Sequence, residues 1–327
     1  LLSLLVTTSL ILSLKEIVKW LEVVAIYLFI AHCGDARTAR GLWIALLLAG
    51  SAEALLGIYQ FVAGVGPPGF LLFDRFMRAY GTFRQPNPYA GYLGLSLPLA
   101  IGPLLVEWPE LLTGLRHRDW RHILPLVLAV VSLGLMALAL LMSWSRGGWL
   151  GVAIASAAML LLTGRRGAIV GLGVVVLVAL FLFFGGLGIL PPALLQRVVT
   201  ALPYASNIDL RTVEVNDDNW ALIERMAHWQ AGWRMFAAHP WLGVGMGNYA
   251  VAYPQYALPR WQDPLGHAHN HHLNIMAEAG LVGLGTYIIL WLAAFCWVLG
   301  ALRRAAGVAR GMPLAALGVL VHLNVHN

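Results

Sequence analysis

Three stretches of this chain carry side chains whose chemistry exceeds what a membrane anchor needs. GTFRQPNPYAGY (Gly81–Tyr92) sets Arg84 and Asn87 among prolines, and SWSRGGW (Ser143–Trp149) puts Arg146 at the tip of a very short loop. A third, much longer polar stretch carries Arg225 and closes on GHAHNHHLN (Gly266–Asn274), with His267, His269, Asn270, His271 and His272. A guanidinium offers a planar fork of donors to anionic oxygens, and an imidazole titrates near neutral pH. The chemistry on offer is anion binding and proton transfer. Each group also has a plainer use. Arg84 and Arg146 fit interfacial arginines on lipid headgroups, and Arg225 fits a partner for Glu224 or Asp218 on a solvated helix. A metal site is the plainer reading of the histidines. However, His267, His269 and His271 alternate at period two, unlike the common zinc spacings, and no acidic ligand adjoins them. No metal and no cofactor is expected.

What must position these residues follows from composition. The 327 residues are 60% hydrophobic and 11% charged, with mean hydropathy +0.76. Ordinary globular domains carry about 25% charged residues, so a soluble fold is excluded and the class is a polytopic membrane protein. The net charge of +6 suits basic cytoplasmic loops. No basic patch interleaves with aromatics as in a strand-binding groove, so nucleic acid is not an expected partner. Cys33 and Cys296 fall in or beside apolar runs, which argues against a disulfide. Leu1 and Asn327 both fall inside apolar segments, and the chain is expected to be cut at both ends.

A span needs about 20 mostly apolar residues. That rule gives a partial helix at Leu1–Leu14, then Val18–Cys33, Gly41–Phe61, Tyr89–Val106, Ile123–Ser143, Gly148–Thr163, Gly167–Gly186, His272–Leu302 and a partial one at Pro313–Asn327. The runs lack the alternation of barrel strands. The expected fold is therefore an all-α polytopic transmembrane helical bundle of about nine spans or partial spans. Arg37 and Arg40, Arg116, Arg118 and Arg121, Arg165 and Arg166, and Arg303, Arg304 and Arg310 fall on one side if the helices alternate. By the positive-inside rule that side is the cytoplasm. Arg84, Arg146 and the long loop then face outward together. Lys15 and Lys19 break the pattern, with Glu16 and Glu22 beside them.

The division expected is 1–186 as N-terminal membrane helices, 187–271 as an extracytoplasmic loop carrying short helices, and 272–327 as incomplete C-terminal helices. Long ordered loops are usually functional, and this one reads as an active-site cap. Trp220, Ile223, Ala227, Gln230 and Arg234 follow helical spacing, which predicts a helix over Asn219–Ala238 with Asp217 or Asp218 as N-cap. Pro240 ends it. The glycine-rich GVGMGNY (Gly243–Tyr249) follows no strand, so it reads as a tight turn at the membrane surface, and a dinucleotide motif is disfavoured. Trp220, Trp229, Trp233, Trp241 and Trp261 read as an interfacial belt ahead of a sugar platform, and the two uses are compatible.

GTFRQPNPYAGYLGLSLPL, SWSRGGWLG, ERMAHWQAGWRMFAAHPWLGVGMGNY and HAHNHHLNIMAEAGLVGLG stand in this order from about Gly41 onward. In that order they resemble the O-antigen ligase and polymerase superfamily of bacterial membrane proteins. The resemblance implies an inverting, metal-independent glycosyltransferase in the inner (plasma) membrane, acting on the extracytoplasmic face. Its donor would be a polyprenyl-diphosphate-linked glycan and its acceptor lipid- or glycan-linked, with membrane lipids around it. The family's arginine of the SRG loop falls on Arg146, and that of the outer-loop helix on Arg225. Its histidine beside an asparagine falls best on His269 with Asn270, while His267 or His271 takes the place if the register slips by two.

The chemistry agrees with those expectations. Charge builds on a departing diphosphate, and fixed arginines stabilise it by charge-assisted hydrogen bonds. A histidine near its ordinary pKa of about 6.5 takes the acceptor proton. Arg146, Arg225 and His269 are thus the expected catalytic residues. Arg84, Asn87, Asn270, His267 and His271 are expected to bind substrate. Two rivals stand. A transporter of an anion or lipid-linked glycan should show broken helices and polar groups at mid-membrane, and Glu53 is the one charge well inside a span. A retaining glycosidase needs two carboxylates about 5 Å apart, and nothing in the spacing selects a pair.

Overall fold

A computed structural model of the chain describes residues 2–326, apart from 73–74, 118–119, 166, 174–175, 177–209 and 217–218. The named helices among them are α1 (Leu10–Cys33), α2 (Ala36–Ala63), α3 (Pro86–His117), α4 (Trp120–Met142), α5 (Arg146–Leu161), α6 (Trp220–Ala238), α7 (Tyr249–Tyr256), α8 (His271–Arg304) and α9 (Gly311–His326). The only strands among the described residues are the short antiparallel pair β1 (Leu71–Leu72) and β2 (Phe76–Met77). The all-α expectation holds, because lipid leaves the backbone no partner but itself.

Five described helices are long and apolar enough to cross a membrane: Ala36–Ala63, Pro86–Trp108, Ile123–Met142, His271–Arg304 and Gly307–His326. The first expected boundary needs correction. Leu1–Leu14 and Val18–Cys33 are not two spans. A 3-10 turn at Leu2–Val6 is followed by the single helix α1. Lys15 and Glu16 interrupt the hydropathy there, yet no Gly or Pro interrupts the helix. Lys19 pairs with Glu16 on the same helix. The Gly148–Thr163 run is α5, only 16 residues long. Most of the Gly167–Gly186 run lies outside the described residues, as do Asp217 and Asp218. α6 begins instead after Asn219 and ends at Ala238, two residues before Pro240.

The chain divides into two compact units, 35–179 with 294–327 and 1–34 with 180–293. In the first, α2, α3 and α4 enclose a core of Leu47, Tyr89, Leu93, Leu97, Ile123 and Met136. α9 packs against both α3 and α5. Glu53 is not alone there: its carboxylate accepts from the Thr82 amide at 3.0 Å and the Thr82 hydroxyl at 2.6 Å. The intramembrane carboxylate thus pins the turn before α3.

In the second unit, α6 and α7 pack through Ala231, Met235, Tyr249 and Tyr253 against Ala277 of α8. α8 is broken at Gly280, whose φ of 62° and ψ of −159° belong to a region essentially reserved for glycine. The Gly243–Gly247 turn fills the break. Val244 and Gly245 donate to the carbonyls of Ala277 and Glu278, both at 3.0 Å. Leu281 and Val282 donate in turn to the carbonyls of Pro240 (2.8 Å) and Trp241 (3.2 Å). Gly243, Gly245 and Gly247 all have positive φ, so the tight turn is confirmed, and it is a splice into a helix. Asn248 ties the other side down, donating to Thr7 Oγ1 at 2.6 Å and Ser13 Oγ at 2.9 Å while its Oδ1 accepts from the Ser9 amide.

Candidate active site

The HAHNHHLN segment is shaped by its two asparagines. Asn270 Oδ1 accepts from the Leu273 amide at 3.0 Å, which is the N-cap arrangement for α8. Asn274 Oδ1 accepts from the Ala268 amide at 3.0 Å. Between them the backbone reverses with His269 at φ 51°, an uncommon conformation for a non-glycine residue. Backbone strain of that kind collects at functional sites. The reversal turns alternate histidines to different neighbours.

His267 and His269 stay together, with ring centroids 4.4 Å apart. His271 and His272 instead lie against Tyr287, at 5.4 and 5.6 Å. Asn270 spends its side-chain oxygen on the helix cap. His269 is half-buried, and its Nε2 is buried with no hydrogen-bond partner among the described residues. Burial, and then the neighbouring His267, Arg225 and His228, push its pKa down to about 4. That departs from the expected value near 6.5. The cause is physical: burial and neighbouring groups able to carry positive charge both penalise a charged imidazole. His269 is therefore a neutral acceptor throughout the physiological range.

Arg225 and His228 lie one turn apart on α6, Arg225 exposed and His228 buried. The His228 ring lies edge-on to His269 at 5.4 Å and stacks on Tyr253 at 4.5 Å. Tyr249 OH donates to the His228 carbonyl at 3.0 Å and lies 3.2 Å from its Nδ1. Burial and then His267 lower the His228 pKa to about 4, while Asp263 works against them. Burial and the charges of Glu224 and Asp263 raise Tyr253 to about 12. His269 is accordingly surrounded by hydrogen-bonding rings, with the Arg225 guanidinium nearby. His228 was missed from the sequence. The signal was present, three residues after Arg225 on one helical face.

The other unit holds Arg146, Arg84 and Asn87. Arg146 is the first residue of α5, exposed, and Ser145 caps that helix by accepting from the Gly148 amide at 3.4 Å. Trp144, at φ 52°, makes the sharp turn before it. Arg84 is exposed on the turn leading into α3. Asn87 is held: its Oδ1 accepts from Arg78 Nη2 at 3.2 Å. Arg78 Nε also donates to the Ser143 carbonyl at 2.8 Å, so one guanidinium joins the two loops that carry Arg84 and Arg146. Arg78 too escaped the sequence reading, since nothing in its neighbourhood marks it.

Residues 131–288 match the family model described as O-Antigen ligase. The matched stretch includes Arg146, Arg225 and His269, while Arg84 and Asn87 precede it. No curated protein matches the chain.

Proposed function

From the match of residues 131–288 to the O-Antigen ligase family model, we propose that this multi-pass membrane protein transfers a glycan from a polyprenyl-diphosphate donor to a lipid-linked acceptor hydroxyl. The match over residues 131–288 supports a ligase- or polymerase-type membrane glycosyltransferase of polysaccharide biosynthesis. Polymerisation is the same chemistry with a second glycan as acceptor. His269 Nε2 takes the hydroxyl proton, and the alkoxide attacks the anomeric carbon from the side opposite the diphosphate. The carbon–oxygen bond to the diphosphate breaks, its electron pair leaves on phosphate, and the anomeric configuration inverts. Arg225 and Arg146 receive that charge, each donor worth roughly 3–4 kcal/mol in a preorganised site. Arg84 and Asn87 shape the donor pocket. No metal is needed, because the arginines supply the positive charge. The site works on the extracytoplasmic face of the inner membrane.

The observation that carries this reading is the buried Nε2 of His269, which has no hydrogen-bond partner among the described residues, with Arg225 as a nearby cation. An unprotonated imidazole nitrogen can accept a hydroxyl proton, and a nearby guanidinium can meet the charge that builds on an anionic leaving group. The broken helix α8 is a feature a transporter would share. Here the break is closed by main-chain bonds from Pro240–Gly245, which favours the enzyme. The test is glycan transfer in liposomes by the intact protein and by His269→Ala. A loss of about 10²–10⁴-fold is expected for removal of a general base, and full activity in the variant rejects the assignment.

A further inference from the structure

His322 and His326, one turn apart on α9, are imidazoles that the mechanism above leaves unused. Their rings stack at 5.2 Å with an interplanar angle of 15°. They enter slots cut by glycines. A Cβ at Gly94 or Gly151 would press on the His322 ring, and one at Gly91 or Gly147 would come within 2.9 or 3.3 Å of a His326 ring nitrogen. Gly91 and Gly94 belong to the NPYAGYLG run, and Gly147 and Gly151 to SRGGWLG. Two of the motifs singled out in the sequence therefore owe some of their glycines to this pair of rings.

His326 does more than fill space. Its Nε2 lies 3.2 Å from the Asn87 carbonyl, and a carbonyl only accepts, so Nε2 carries the proton and donates. Asn87 is thereby held twice, at its main chain by His326 and at its side chain by Arg78. Arg78 reaches on to the Ser143 carbonyl, and the Ala79 amide donates to the Met142 carbonyl at 3.0 Å. The turn carrying Arg84 and the turn carrying Arg146 are fastened to one another by this chain.

We propose that His326 and Arg78 are positioning residues that set the Arg84 and Arg146 turns for a lipid diphosphate. The inference rests on the donor chemistry of the proposed function. It specifies a donor and not a ring, and that separates it from a packing role. A glutamine amide nitrogen sits close to where Nε2 does, while phenylalanine keeps the ring and the stack without the donor. A lysine at position 78 gathers its donors on one nitrogen and lacks the fixed fork by which Nε and Nη2 meet the two acceptors here.

The experiment uses the full-length protein in liposomes, with binding of glycan-free polyprenyl diphosphate and glycan transfer both measured, alongside the thermal midpoint. His326→Phe and Arg78→Lys are expected to weaken diphosphate binding roughly tenfold, the equivalent of one hydrogen bond. His326→Gln should stay within about twofold of the native protein, by the same arithmetic. Retained affinity in His326→Phe, or a loss in His326→Gln as large as in His326→Phe, would overturn the inference. Should His326→Phe fail to fold, Arg78→Lys decides alone, native affinity counting against the proposal. A native protein that binds polyprenyl diphosphate no better than the uncharged polyprenol would instead remove the donor reading itself.

Discussion

His269 combines a left-handed backbone, an orphaned nitrogen and a depressed proton affinity, and its pH behaviour follows. The base must be unprotonated to work, and kcat/KM reports the free enzyme's groups. With the pKa near 4, activity should stay level from pH 8 down to about 5 and fall below that. An acidic limb near pH 6.5 would contradict the pocket described. Arg225→Gln removes one of the causes of the depression, so it should move the limb upward while lowering the rate. Arg146, Arg225 and His269 were singled out in the sequence because motifs in fixed order mark them. The ring partners were not. His228, Tyr249 and Tyr253 read as ordinary helix residues, and only the folding of α6 and α7 onto α8 brings them to His269. His322 and His326 sat inside an apolar run, where nothing distinguishes a structural imidazole from a functional one.

Among the elements, helix α6 was read almost to the residue, since aromatic and aliphatic spacing at 3.6 is a strong signal. The break in α8 was not seen. An apolar run carrying Gly280, Gly283, Gly285 and Gly300 looks the same whether its helix is continuous or spliced at one of them, and the difference lies in a loop well upstream. Substitution at that glycine gives a sharp test. Gly280 has a Gly-only conformation, and a Cβ there would overlap the Trp241 and Leu242 backbone. Gly280→Ala should therefore cost at least about 1–3 kcal/mol, seen as a lowered thermal midpoint in detergent. Gly285→Ala is the control, because nothing among the described residues lies within 4 Å of a Cβ at that position. Equal midpoints for the two variants would mean that α8 runs straight.

For the whole molecule, hydropathy and basic loops carried the membrane reading, and five spans among the described residues agree with it. The boundary between Leu1–Leu14 and Val18–Cys33 went wrong because charge was taken as a break in the helix. Topology can be measured directly. After both exposed cysteines, Cys33 and Cys296, are changed to serine, Thr82→Cys and Gln262→Cys should react with a membrane-impermeant maleimide on intact cells. Gly307→Cys, beside Arg303, Arg304 and Arg310, should react only after permeabilisation. Labelling of all three on intact cells would defeat the orientation. The splice between Pro240–Gly245 and Ala277–Val282 has one more consequence. It is made of peptide groups alone, and neutral amides are blind to ionic strength, whereas guanidinium attraction for phosphate is screened within about 10 Å at 0.1 M salt. A fall in turnover as salt is added would therefore report weakened capture of the donor, with the frame around His269 left as it was.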